Sequence, residues 1–286
     1  MSTDTRASRL VVRPLINRFG FRHLLVTTLV LVSATILLGI AAKATGSGLA
    51  CEANWPQCDA GPYNLLPANL PSFYEWFHRF VAMFAGFAII GSALAAWRAP
   101  SIDRRVVALV VLGMILTPIQ VILGRETVLQ YEMAILSLHF WTAVLIFALF
   151  VVATVLVWQS RLTRTHVTAA LALGIISLPL HVVLSPAVGS HTATYSPTVQ
   201  MVQYGVTLAL LGSAIVAAMV GWNEFDDRRT GLALAAMPPL VVFVLLFGRQ
   251  AVSPAVELPY FAAATALLAV FLVAGWLVRT APNTTS

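Results

Sequence analysis

Long stretches of this chain carry no formal charge. Lysine, arginine, aspartate and glutamate are absent from residues 23–42, 80–97, 106–124, 133–160, 165–223, 230–248 and 258–278. Most of these stretches match the ~20 residues a helix needs to cross a hydrocarbon core. The 165–223 stretch is too long for one crossing. SPAVGSHTATYSP interrupts it, and Pro186, Gly189 and Pro197 mark a loop there. The expectation is therefore an all-α membrane protein with eight transmembrane helices, near 22–42, 73–97, 106–124, 133–158, 167–186, 199–222, 230–248 and 258–278. Only 10% of residues are charged and 59% are hydrophobic, against about 25% charged in soluble domains. That balance excludes a disordered chain, a nucleic-acid-binding domain and an ordinary soluble enzyme, and it makes membrane lipid the surrounding phase.

The basic residues orient the helices. With the N-terminus inside, the inner segments hold thirteen arginines: Arg6, Arg9, Arg13, Arg18, Arg22, Arg98, Arg104, Arg105, Arg161, Arg164, Arg228, Arg229 and Arg279. The outer segments hold Lys43, Arg125 and Arg249, with Arg79 near an outer helix end. Positive charge collects on the cytoplasmic side, so both termini are expected inside. The N-terminal segment is short, contains Asp4 and runs directly into the first helix. A cell membrane is thus favoured over the mitochondrial inner membrane, which would need a targeting presequence.

Two weak internal matches point to duplication. ILGRETV (122–128) resembles LFGRQAV (246–252), and ATGS (44–47) resembles AVGS (187–190). They divide the chain into two pseudo-symmetric four-helix bundles, residues 1–160 and 161–286, the second a degenerate copy.

Ionisable groups inside membrane helices are costly and are candidates for function. PSFYEWFHRF puts Glu75 and His78 three residues apart, on one face of the second helix. ILSLHFW places His139 on the fourth helix. Each histidine lies five or six residues from its expected outer helix end, about 8–9 Å deep at 1.5 Å per residue. Two imidazoles at equal depth in one bundle suit axial ligation of a haem. A hydrogen-bonded packing histidine is the plainer alternative for either one alone, and Glu75 could simply pair with Arg79 at i+4. His181 and His191 are weaker candidates of the same kind. Lys43, Arg79 and Arg125 are candidates for holding haem propionates at the outer face, with headgroup contact as the alternative. Cys51 and Cys58, in CEANWPQC on the oxidising outer side, are a structural staple or a redox-active pair.

Helix 1 leading into KATGSGLACEANWPQC, then EWFHR, LGRETV and LHF, resembles the haem A synthase family. The resemblance covers the first half and, more faintly, the second. It implies an eight-helix enzyme of two four-helix halves that oxidises a methyl group of haem O to the formyl group of haem A for terminal oxidases. The substrate haem would be held by His78 and His139, Glu75 would be needed for the oxidation, and Cys51 and Cys58 would be the outer-loop cysteine pair. Haem O synthase and terminal oxidase subunits are candidate partners, and a homo-oligomer is compatible with the reading. Many two-half members hold a second, b-type haem between histidines of the second half. Here the repeat offset puts Gln203 and Ala263 at those positions, so the second haem is expected to be missing unless His181 or His191 replaces a ligand. The alternative is a non-catalytic haem carrier or oxidase-assembly factor.

Overall fold

The computed structural model describes residues 20–51, 55, 58, 67, 69–192, 194–250 and 253–281. The N-terminal arginines Arg6, Arg9, Arg13 and Arg18 lie outside these residues. The described chain is all-helical: α1 (Phe21–Ala44), α2 (Leu70–Arg98), α3 (Arg104–Leu129), α4 (Met133–Trp158), α5 (Arg164–Val183), α6 (Pro186–Thr192), α7 (Pro197–Glu224), α8 (Arg228–Ala235), α9 (Met237–Gln250) and α10 (Pro254–Thr280). Eight helical segments are long and apolar enough to span a membrane, as the charge gaps predict. The molecule is a multi-pass membrane protein.

The helix ends follow from local chemistry. Asn69 accepts the backbone N–H of Ser72 and starts α2. Asp103 does the same for Arg105 at α3, Ser196 for Val199 at α7, and Asp227 for Thr230 at α8. Each satisfies one of the amide donors that a helix N-terminus leaves unpaired. His166 closes a capping box with Thr163 at the start of α5.

Two details differ from the sequence expectation. The seventh crossing is interrupted: α8 ends at Ala235 and α9 restarts at Met237, just before Pro238-Pro239. Neither proline can donate to the helical ladder, which forces the break. The fifth crossing stops at Val183, and Pro186–Thr192 forms the short helix α6 where a loop is expected.

Helices α1 to α4 pack in a ring, each against the next, with α4 closing on α1. Helix α5 packs on α7, α7 on α8 and α9, α9 on α10, and α10 back on α5. The two groups meet where α7 lies against α1 and α4. Small residues allow the tightest approach, as expected where lipid supplies no hydrophobic drive between helices. Ala85, Ser92, Ala93 and Ala96 are all buried along α2, and Thr28 of α1 meets Ser92 across the contact with 3.0 Å between hydroxyls.

Candidate functional site

A cavity of about 680 Å³ opens inside the α1–α4 ring, within the ~300–1,000 Å³ typical of ligand pockets. His78 of α2 and His139 of α4 both line it. The equal depth expected from sequence is only approximate. His78 lies eight residues past Leu70 and His139 six past Met133, about 12 and 9 Å along their helices at 1.5 Å per residue. Helix α2 starts earlier than expected because Asn69 caps it.

Glycines seat both imidazoles. A Cβ on Gly39 of α1 would stand 3.0 Å from His78 Nε2, and one on Gly124 of α3 would stand 3.1 Å from His139 Cε1. Gln120, also on α3, donates its side-chain N–H to the His139 backbone carbonyl at 3.0 Å. The His139 Nδ1 is buried with no hydrogen-bond partner among the described residues. The other ring nitrogen, Nε2, which is the usual haem ligand, has the Gln120 side-chain nitrogen 3.5 Å away. Gly39→Val and Gly124→Val are each expected to displace the facing imidazole and, on the haem ligation expected from the sequence, to weaken haem binding about tenfold or more, while leaving both histidines in the chain. Soret titration of the purified variants checks this, and wild-type affinity in both would refute the seating.

Glu75 sits one turn above His78 and is 3% exposed. One carboxylate oxygen pairs with Arg79; the other accepts the backbone N–H of Cys51 at 3.1 Å. The carboxylate thus fastens the segment after α1 to the second helix. Ser72 Oγ adds a bond to the Ala50 carbonyl at 3.0 Å. Cys51 and Cys58 are both buried, and their Cα atoms are 4.6 Å apart, within the span a disulfide covers. Tyr131, in the turn between α3 and α4, lines the same cavity. Its φ is 44°, a left-handed conformation that costs a bulky residue energy and tends to persist where a site demands it.

Of the three cations singled out from sequence, Lys43 and Arg79 line the cavity. Arg125 is outside the lining and pairs with Glu126 at 2.6 Å, its side chain 49% exposed. Arg249 of α9 lines the cavity instead. Sequence reasoning also missed Gly39, Gln120 and Tyr131. The matching Gly-Arg pairs were the one signal that could have drawn attention to Arg249.

Around His181 the second half is closely filled. A cavity of about 10 Å³ lies between His181, Gln203, Thr207, Gly248 and Arg249, room for about one water. Gln203 accepts the Tyr195 hydroxyl at 2.9 Å. The Thr207 hydroxyl donates to the Gln203 carbonyl at 2.8 Å, so its 2.8 Å contact with His181 Nδ1 makes that nitrogen the donor. His181 Nε2 is then an unpartnered acceptor. It has the free nitrogen of a ligand but no room for a macrocycle beside it, because the Tyr260 ring occupies the space next to Gly248. His191 is on the surface, paired with Glu257 at 3.2 Å.

Fold and cavity together define an eight-span helical membrane protein with an intramembrane pocket presenting two histidines. A family model described as cytochrome oxidase assembly protein matches residues 65–203, which include both histidines. The chain is 30% identical to haem A synthase of Bacillus licheniformis over 48% of its length and 44% of that protein. It is 26% identical to haem A synthase of an Exiguobacterium species over 85% of its length and 78% of that protein. It is also 35% identical to protohaem IX farnesyltransferase of Halobacterium salinarum, over 43% of this chain and 27% of that one. No solved structure matches. Residues 65–203 thus match this family, and the chain spans less than half the length of the Bacillus licheniformis relative.

Proposed function

We propose that this chain is a haem A synthase-type membrane oxidoreductase that converts a haem O methyl group to the formyl of haem A for terminal oxidase assembly. The observation carrying this reading is one large cavity lined by two imidazoles from facing helices, with a buried carboxylate a turn away. His78 and His139 hold the substrate iron. Glu75 stabilises charge at the oxidised carbon or accepts its proton, while Arg79 keeps the carboxylate in place. Cys51 and Cys58 form a disulfide that fixes the outer segment over Glu75. Residues 1–160 are the unit with the substrate site and residues 161–286 its degenerate copy. The chain sits in the cell membrane with both termini cytoplasmic, and it receives substrate from a haem O synthase.

The close filling around His181 supports a second half that holds no haem at that histidine. Electrons then leave through the substrate iron, the cysteine pair or a partner protein. The same observation favours a second reading, a carrier that holds haem for oxidase assembly without oxidising it. Expressing the chain with a haem O source in cells lacking haem A, and analysing the extracted haems by chromatography with mass detection, separates the two. Haem A is the expected product. Haem O bound stoichiometrically and unchanged, with electron donors in excess, would establish the carrier. Absence of any haem would overturn both.

A further inference from the structure

Arg249 belongs by sequence to the second half, yet its guanidinium reaches the cavity of the first. It stacks on Phe140 of α4 with 4.2 Å from Cζ to the ring centroid, and its Nη2 donates to the Leu136 carbonyl at 3.5 Å. Its Nη1 is shielded from solvent and has no hydrogen-bond partner among the described residues. No ion pair of Arg249 forms among those residues either. A guanidinium held between packed helices without a carboxylate is costly, and its planar fork is shaped for a carboxylate's two oxygens.

The charge around the cavity points the same way. Among the described residues its lining includes Lys43, Arg79 and Arg249 but only one carboxylate, Glu75. Because Arg79 and Glu75 pair with each other, Lys43 and Arg249 remain as an excess of two positive charges among those residues. That excess matches a ligand carrying two carboxylates at one edge and apolar surface elsewhere, the rest of the wall being largely aliphatic and aromatic.

We infer that Arg249 anchors a carboxylate of the cavity's ligand, so that the second half contributes a binding residue to the site built by the first. This rests on the haem reading above, and it gives the second half a function that does not depend on a haem of its own. The stacking on Phe140 pre-orders the guanidinium, so little rotamer freedom is lost when the carboxylate arrives.

The test compares protohaem IX, which carries two propionates, with its dimethyl ester, which carries no charge there. Both are titrated into the purified full-length chain in detergent and followed by Soret absorbance. The wild-type chain is expected to prefer the acid. Arg249→Gln is expected to weaken acid binding about tenfold to hundredfold, the scale of a charge-assisted hydrogen bond, and to leave ester binding unchanged. Arg249→Lys keeps the charge but loses the fork, so it is expected to restore part of the preference. It also serves as the readout should the glutamine variant fail to fold. Equal losses for acid and ester would assign Arg249 a packing role only and overturn the proposal. Equal binding of acid and ester by the wild-type chain would also overturn it while leaving the haem reading intact. A wild-type chain that binds neither would overturn the haem reading and the anchor together.

Discussion

Replacing His78 or His139 with alanine is expected to abolish the low-spin spectrum of a haem bound to this chain, while His181→Ala is expected to leave that spectrum in place. The two cavities carry the difference. His78 and His139 share about 680 Å³; His181 faces about 10 Å³, with its Nδ1 committed to Thr207 at 2.8 Å. Low-spin iron needs two strong axial ligands, so on the proposed ligation the loss of either first-half imidazole would leave the haem short of one. The expected change is a shifted and weakened Soret band in each first-half variant, together with loss of the sharp α and β bands on reduction. An unchanged spectrum in either would remove that residue as a ligand. Loss of the spectrum in His181→Ala alone would move the site to the second half.

Glu75→Gln is expected to leave haem bound and to lower haem A formation about 100- to 10,000-fold, the usual contribution of a positioned acid or base. Glutamine keeps one oxygen that can accept the Cys51 N–H, but its amide nitrogen then faces Arg79 and the ion pair is lost. Glu75→Ala removes both functions. The carboxylate partner of Arg79 and the acceptor for the segment after α1 disappear together, at a cost on the order of 3 kcal/mol or more for a broken buried pair. Both variants should lower the yield, and alanine should lower the melting temperature further than glutamine, which keeps the acceptor for Cys51. Extracted-haem analysis and thermal melting on the two variants separate the roles. Normal haem A from Glu75→Gln, with a destabilised Glu75→Ala, would reduce Glu75 to a structural tie.

The eight crossings, their order and the candidacy of Glu75, His78 and His139 were legible in the residues alone. Hydrocarbon tolerates almost no unpaired charge, so gaps between charges map the spans directly, and a glutamate or histidine left within one stands out. The break at Ala236 followed from Pro238 and Pro239, although a charge count passes over it, because proline breaks the helical ladder without altering hydropathy.

Other features needed the packed helices. Gly39 and Gly124 matter because of what faces them across a helix contact, and no pattern along one helix encodes its neighbour. Arg125 and Arg249 occupy matching Gly-Arg pairs, yet one pairs with Glu126 in an exposed position and the other turns onto Phe140. The missing second-half ligands at Gln203 and Ala263 could be read by offset, but the volume left behind could not. That volume depends on Tyr260, buried beside Gly248, and on the chain of hydrogen bonds from Tyr195 through Gln203 and Thr207 to His181. The sequence by itself determined which groups lie in the membrane, because the cost of burying charge is local to each segment. Only the tertiary structure decided which of them share a cavity, because cavities form from side-chain volumes on helices far apart in the chain.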